Sequence, residues 1–161
     1  MVPSIRPLRE PDIAALLSLI QGLADYEHLP GPDADARDRL TRDAMAEPPG
    51  FRVLLAETEG RVIGYAVYML TYSTFLARPT LYVEDIFVLP KERRNGAGRA
   101  LMQELAREAV RQGCGRMEWH VLDWNIPAQD FYRSLGAGQL DEWRLVRLTG
   151  AELGRLAGTL S

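Results

Sequence analysis

Apolar and polar positions follow two different rhythms along this chain. Beyond Pro11, which suits a first helical turn, Ile13, Leu16, Leu17, Ile20 and Leu23 recur at three- and four-residue steps and mark one face of a helix. Turn-forming residues bracket the next segment, in which a weaker, more polar helix is expected from about Asp35 to Ala46. Three β-rich stretches follow: FRVLLAE (51–57), RVIGYAVYMLTY (61–72) and TLYVEDIFVLP (80–90). TEG is short enough to join the first two as a hairpin, and STFLARP turns the chain again. Then GRALMQELAREAVRQG sets Leu101, Leu105 and Ala109 in one row with Met102, Ala106 and Val110 beside it, an amphipathic helix ended by Gly113. RMEWHVLD reads as a strand, IPAQDFYRSLGA as a short helix stopped by Gly136, EWRLVRL as a last strand and GAELGRLAG as a final turn of helix. With a short first strand around Ile5, the order βααβββαβαβ predicts an α/β (α+β) fold: an antiparallel meander, then a helical crossover, hence a mixed sheet carrying helices. No repeat or linker interrupts the pattern, so one domain is expected over residues 1–161.

Composition narrows the function classes. At 47% hydrophobic and 25% charged, the 161 residues suffice for one real core. Lys and Arg number 19 against 22 Asp and Glu, a net charge of −3, which argues against a nucleic-acid binder working through bulk charge. Any anion site must be local. The single cysteine, Cys114, excludes an internal disulfide and reads as a packing residue between helix and strand. The N-terminus lacks an apolar leader and no run approaches the roughly 18 apolar residues of a spanning helix, so a cytoplasmic protein without a membrane partner is expected.

A local anion site is suggested by ERRNGAGRAL (92–101), where two glycines separated by one residue lie between a strand and a helix. Unpaired N–H groups and the positive end of the dipole coincide at a helix N-terminus. Gly96 and Gly98 let that backbone approach an anion closely, and Lys91, Arg93, Arg94 and Arg99 add charge around it. A P-loop would need Lys and Ser/Thr after its last glycine, but Arg99 follows Gly98; a dinucleotide fingerprint would need a third glycine where Leu101 stands. A plain loop with solvated arginines fits the same letters.

RRNGAG, as Arg-x-x-Gly-x-Gly after a strand, resembles the acetyl-CoA loop of the GNAT superfamily of N-acetyltransferases, and DWNIPAQDFYRSLGA resembles that superfamily's later motif. The resemblance runs from Ile5 to about Leu148. It implies a GNAT fold whose sheet splays at the fourth strand, with acetyl-CoA as donor and no metal. The backbone from Arg94 through Asn95, Gly96, Ala97 and Gly98 to Arg99 would hold the pyrophosphate, with Arg93 beside it. Main chain at Ile86, Phe87 and Val88, together with Asn125, would pair with the pantetheine arm; Asn125 reads equally as a helix N-cap. Tyr132 matches the tyrosine whose hydroxyl lies near the thioester sulfur, an acid for the departing thiolate, though a tyrosine there also packs as an ordinary helix residue.

Glu84 and Asp85 are adjacent carboxylates in an otherwise apolar strand, where alternation sends them to opposite faces and burial without a partner is costly. The resemblance gives Glu84 the acceptor amine and a relay of its proton, with Asp85, Tyr26 and Glu27 on the substrate side; an ion pair with an arginine is the structural alternative for Glu84, and a solvated helix end for Tyr26 and Glu27. His120 lacks the companions of a metal site, His28 reads as surface, and Trp119, Trp124 and Trp143 read as core or subunit contact.

ADYEHL, LTYSTF, LYVEDIFV and VLDWNIPA look most like the diamine (spermidine/spermine) branch. Polyamine-specific members, however, have Asp and Trp where this chain has Ser73 and Phe75. YSTF and VLDWN look closer to relatives that acetylate thialysine and similar amino acids, which favours a small primary amine of that kind over spermidine. A peptide or protein N-terminal acetyltransferase and a non-catalytic acetyl-CoA sensor remain as alternatives. A homodimer with EWRLVRL near its contact is implied by the resemblance alone.

Overall fold

The computed structural model describes residues 3–159. These fall into two compact units divided after His120. In the first, β1 (Ser4–Pro7), β2 (Arg52–Thr58), β3 (Arg61–Ser73), β4 (Arg78–Val88) and β5 (Arg116–Glu118) form one sheet in that spatial order. The pairs from β1 to β4 are antiparallel, and β5 lies parallel to β4. Helices α1 (Ile13–Tyr26) and α2 (Ala34–Met45) separate β1 from β2, while α3 (Ala97–Arg111) makes the crossover from β4 to β5. This is the expected mixed sheet.

Local chemistry accounts for most boundaries. A short 3-10 turn at Glu10–Asp12, with Pro11 in it, leads into α1. The Asp33 carboxylate accepts the Ala36 amide at 2.8 Å and caps α2. Glu59 and Gly60 both take positive φ, 52° and 74°, the handedness that matches a tight hairpin to the twist of its strands. Arg6 joins β1 to β2 and to the turn before α1, its guanidinium bonding Asp12 at 2.7 and 2.9 Å and Glu57 at 2.8 Å. Those bonds hold the Asp12 carboxyl below its ordinary pKa.

Strand alternation divides the core. Leu16 and Leu19 of α1 pack with Val53, Leu55, Tyr65, Val67 and Phe87. The intervening residues Leu54, Ala56, Ala66, Leu81 and Val83 are also buried, on the face that α3 covers with Leu101, Met102, Leu105 and Ala109. The buried stripe of α3 is narrower than its sequence pattern, since Ala106 is exposed and Val110 is 80% exposed.

Two irregularities shape β4. Tyr68 pairs with Val83 but the preceding Val67 pairs with Asp85, so Glu84 is an extra residue in a β-bulge. Plain alternation therefore fails at the carboxylates: Asp85 follows Phe87 onto the α1 face, and Glu84 is exposed at the bulge. The ladder between β4 and β5 covers only Thr80–Tyr82 against Arg116–Glu118. The strand expected over 116–123 thus ends at Glu118, because β5 loses its partner where β4 bends, and His120 lies past the strand.

The second unit holds α4 (Ile126–Ser134) and α5 (Gly150–Leu156). Asn125 caps α4, its side-chain oxygen accepting the Ala128 amide at 3.3 Å. Residues 142–148, expected as a last strand, form none: alternating apolar residues make a strand only where a ladder takes their backbone groups. Trp124 and Trp143 are exposed rather than in the core. Cys114 is half-buried between α3 and β5, and burial pushes its thiol upward. Among the described residues no helix is long and apolar enough to cross a membrane.

Gly64 sets the closeness of β3 and β4 beside the bulge. A Cβ at this position would stand 2.7 Å from the Phe87 carbonyl oxygen and 3.1 Å from Val88 Cγ2. Gly64→Ala is expected to force the strands apart and lower stability by about 1–3 kcal/mol, measured by chemical denaturation.

Candidate active site

The connection from β4 to α3 is built around one side chain and two left-handed residues. After Val88 the chain makes a 3-10 turn, Pro90–Glu92, and the Glu92 carboxylate pairs with Arg61 beside the β2–β3 turn. Arg93 folds back: its Nε donates to the Val88 carbonyl at 3.1 Å, and its guanidinium lies 4.6 Å from the centre of the Tyr26 ring and 5.6 Å from that of Phe87. Arg93 therefore clasps the loop to β4 and to the end of α1. Arg94 and Gly96 have φ of 69° and 84°, a conformation that costs glycine nothing.

Gly96 is the N-cap of α3, and its carbonyl accepts the Ala100 amide at 2.9 Å. No side chain caps this helix and its first turn holds no acidic residue. The amides of Ala97, Gly98 and Arg99 lie in that turn, which has the partial positive charge of a helix start. Arg94, Asn95, Gly96 and Arg99 are exposed around it and Ala97 is buried. Such an arrangement receives an anion through backbone amides.

The open edge of β4 leads to this turn. Ile86, Phe87 and Val88 pair with Ala66, Tyr65 and Gly64 on one side, whereas beyond Tyr82 the other side has no strand partner among the described residues. Phe87 and Val88 are buried as core, so toward that edge they offer backbone groups only. An extended ligand with amides can take the place of a strand there.

Around the bulge, carboxylates gather without a salt bridge among the described residues. Asp85 is half-buried, its Oδ2 accepting the Tyr65 hydroxyl at 3.2 Å, and Tyr65 is 0% exposed. Burial first, then the charges of Glu84 and Glu27, raise the Asp85 carboxyl to about 6 against the opposing Tyr65 hydrogen bond. Burial also raises the carboxyl of Glu27, just past α1. The Tyr65 hydroxyl is held far above its usual value by burial and by Asp85. None of Glu27, Glu84 and Asp85 joins a salt bridge among the described residues, so the ion pair considered for Glu84 is not formed.

Two members of this neighbourhood carry no signal in the sequence. Tyr65 is one aromatic in a strand of several, and only the register that sets it opposite Phe87 shows where its hydroxyl goes. Tyr82 ends the β4–β5 ladder, with its hydroxyl 2.8 Å from His120 Nδ1. In the second unit Tyr132 is a half-buried residue of α4, its ring centre 5.4 Å from that of Phe131, and Asn125 is the cap described above. His28 is exposed.

Comparison with known proteins gives a consistent picture. The family model described as the acetyltransferase (GNAT) family matches residues 16–137. The thialysine N-epsilon-acetyltransferase of Bos taurus is 36% identical over 165 residues, which cover 96% of this chain and 96% of that protein. An L-ornithine N5-acetyltransferase of Arabidopsis thaliana is 46% identical over 92 residues, 57% of this chain and 40% of its own. Among solved structures, an integron cassette protein from the mobile metagenome of V. cholerae is similar with a TM-score of 0.81 at 27% identity, covering 98% of each chain.

The arginines of the loop are expected to behave differently. Arg93→Ala removes a bond to a strand carbonyl and a cation–π contact, and should cost about 1–2 kcal/mol of stability. Arg94→Ala, at an exposed position, should stay within about 0.5 kcal/mol of wild type. Paired denaturation curves check both.

Proposed function

This chain belongs to the acetyltransferase (GNAT) family and is an acetyltransferase, and from that premise we propose that it transfers the acetyl group of acetyl-CoA directly to the primary amine of a small cationic acceptor. A thialysine-like or lysine-like amino acid is favoured over a diamine or polyamine. The observation that carries this reading is the cluster Glu27, Glu84 and Asp85, carboxylates near one another that join no salt bridge among the described residues. An ammonium group entering the cluster supplies a counter-charge that offsets the burial and the repulsion raising Asp85. The names of the Bos taurus and Arabidopsis thaliana relatives, both acetyltransferases of amino-acid side-chain amines, point the same way.

The donor side fits the same reading. A pyrophosphate matches the uncapped start of α3, where amides from Arg94 to Arg99, through Asn95, Gly96, Ala97 and Gly98, and the exposed Arg94 and Arg99 side chains meet an anion. An amide-bearing arm matches the free edge of β4 at Ile86, Phe87 and Val88, with Asn125 contributing a further hydrogen bond. Acetyl-CoA supplies an activated acyl carbon bonded to sulfur. The chain's residues do the rest. Glu27 and Asp85 anchor the ammonium beside Tyr26, and Glu84 takes its proton through water. As the amine nitrogen bonds to the acyl carbon and the carbon–sulfur bond breaks, Tyr132 gives its proton to the sulfur, and the second proton shed by the nitrogen returns through solvent to the tyrosine. Arg93 holds Tyr26 and Val88 in place rather than offering its charge to the phosphates. Assembly as a homodimer belongs to this reading too, supported by the resemblance and by the apolar surface around Trp143, 74% exposed, and Val146, 89% exposed.

A panel of thialysine, lysine, ornithine, spermidine and N-terminal peptides, read by CoA thiol release, tests the acceptor. Turnover is expected to be highest with the amino acids bearing a side-chain amine and to climb with pH above neutrality, because such an amine has a pKa near 10.4. Turnover with the peptides alone would mark a protein N-terminal acetyltransferase, and acetyl-CoA binding without any turnover would mark a sensor.

Two substitutions separate binding from chemistry. Gly98→Asp puts a carboxylate in the first turn of α3 and should abolish acetyl-CoA binding by calorimetry while the protein remains folded. Tyr132→Phe should hold acetyl-CoA affinity within a few-fold, and kcat should fall by roughly 10²–10⁴.

A further inference from the structure

Tyr65 has no part in the scheme above, yet its hydroxyl donates a hydrogen bond to a carboxylate of the acidic cluster. Its hydroxyl reaches Asp85 Oδ2 at 3.2 Å. The ring is 0% exposed and packs in the cluster of Leu16, Leu19, Val53, Leu55, Val67 and Phe87. A hydroxyl carried by so fixed a ring has little freedom to choose a partner. Val67 lies directly across the ladder from Asp85 and Tyr65 across from Phe87, so Tyr65 reaches its carboxylate diagonally across one face of the sheet. This contact exists only because the bulge at Glu84 turns Asp85 to that face.

We propose that Tyr65 is a positioning residue for the acceptor amine, its hydroxyl fixing Asp85 by one oxygen so that the other is presented to the ammonium. This rests on the amine-acetyltransferase reading. The groups around Asp85 are Glu84 and Tyr82 on its own strand, Tyr65 on β3, Glu27 after α1, and the Arg93 guanidinium over the neighbouring Phe87 ring. Burial, then Glu84 and Glu27, favour the neutral carboxyl, which cannot anchor a cation through charge. The Tyr65 hydrogen bond opposes them. Tyr65 thus keeps Asp85 ionised at the pH where an ammonium must be held, and keeps it in one orientation.

Asp85 loses its charge as the pH falls through about 6, and the acid limb of kcat/KM should lie there. Tyr65→Phe removes the contribution that favours the carboxylate, so the limb should move up by about one pH unit. At pH 6 kcat/KM should fall about fivefold, mainly through KM, and the two enzymes should converge in alkaline solution. In an Asp85→Asn background the same substitution should leave kcat/KM and its pH profile unchanged, since Tyr65 would then have no carboxylate to act through.

The carboxyl can also be observed directly. In protein labelled with carbon-13 at aspartate, the Asp85 carboxyl signal, assigned by its loss in Asp85→Asn, should titrate near 6 in wild type and about one unit higher in Tyr65→Phe. This readout needs no substrate, so an enzyme inactive toward every amine would sink the functional reading while the tyrosine–carboxylate pair is still decided. Should Tyr65→Phe fail to fold, 3-fluorotyrosine placed at position 65 keeps the ring and makes a stronger donor, and the Asp85 midpoint should then fall. A folded Tyr65→Phe protein with an unmoved carboxyl titration and acid limb, or an unmoved midpoint with the fluorinated residue, overturns the proposal.

Discussion

One extra residue in β4 governs the site. Val83 and Asp85 are two positions apart and in a regular strand would share a face, but their partners Tyr68 and Val67 are adjacent in β3 and point oppositely. The bulge at Glu84 absorbs the mismatch. Before it, Leu81 and Val83 face α3; after it, Asp85 and Phe87 face α1, Tyr65 and Glu27. The parallel ladder with β5 stops at Tyr82, just short of the bulge. A single insertion in the register thus turns a carboxylate into the acidic cluster and leaves a strand edge open beside it.

That arrangement works against the stability of the isolated protein. Burial raises the carboxyls of both Asp85 and Glu27, and at Asp85 the charges of Glu84 and Glu27 add to it. Elsewhere the chain matches its acids with bases, as where Arg6 bridges Asp12 and Glu57 or Arg111 holds Glu104 and Glu108. The arginine near the cluster is committed to other work: Arg93 lies over two rings and binds a strand carbonyl. Uncompensated charge at a site whose neighbours are compensated is a common sign of a binding site, because the ligand brings the counter-charge.

Much of the molecule was legible in the chain. The helices, the hairpin at Glu59–Gly60, the Asn125 cap, the glycine turn before α3 and the family itself rest on interactions within a few residues of each other, or on short motifs that keep their spacing. The misreadings have another origin. EWRLVRL has the alternation of a strand but finds no ladder among the described residues. RMEWHVLD loses its ladder after Glu118, where its neighbour bends. Val110 continues an apolar row yet stays in solvent, since the buried stripe of α3 runs through Leu101, Leu105 and Ala109 and leaves it to one side. In each case the local pattern was present and the non-local partner was not.

The same division separates the two halves of the candidate site. A helix start able to receive an anion depends on backbone amides, a turn and the glycine at its N-cap, all contiguous in the chain, and ERRNGAGRAL carries these parts within ten residues. The acidic half joins Glu27, Tyr65 and Asp85 from a helix end and two strands. The sequence determined that Glu84 and Asp85 were adjacent and costly to bury; it left open which would face the interior, and it held no sign that Tyr65 would meet one of them. Only the tertiary structure decided this, because strand register and burial depth depend on the packing of distant segments, and one residue of slip reverses every side chain beyond it.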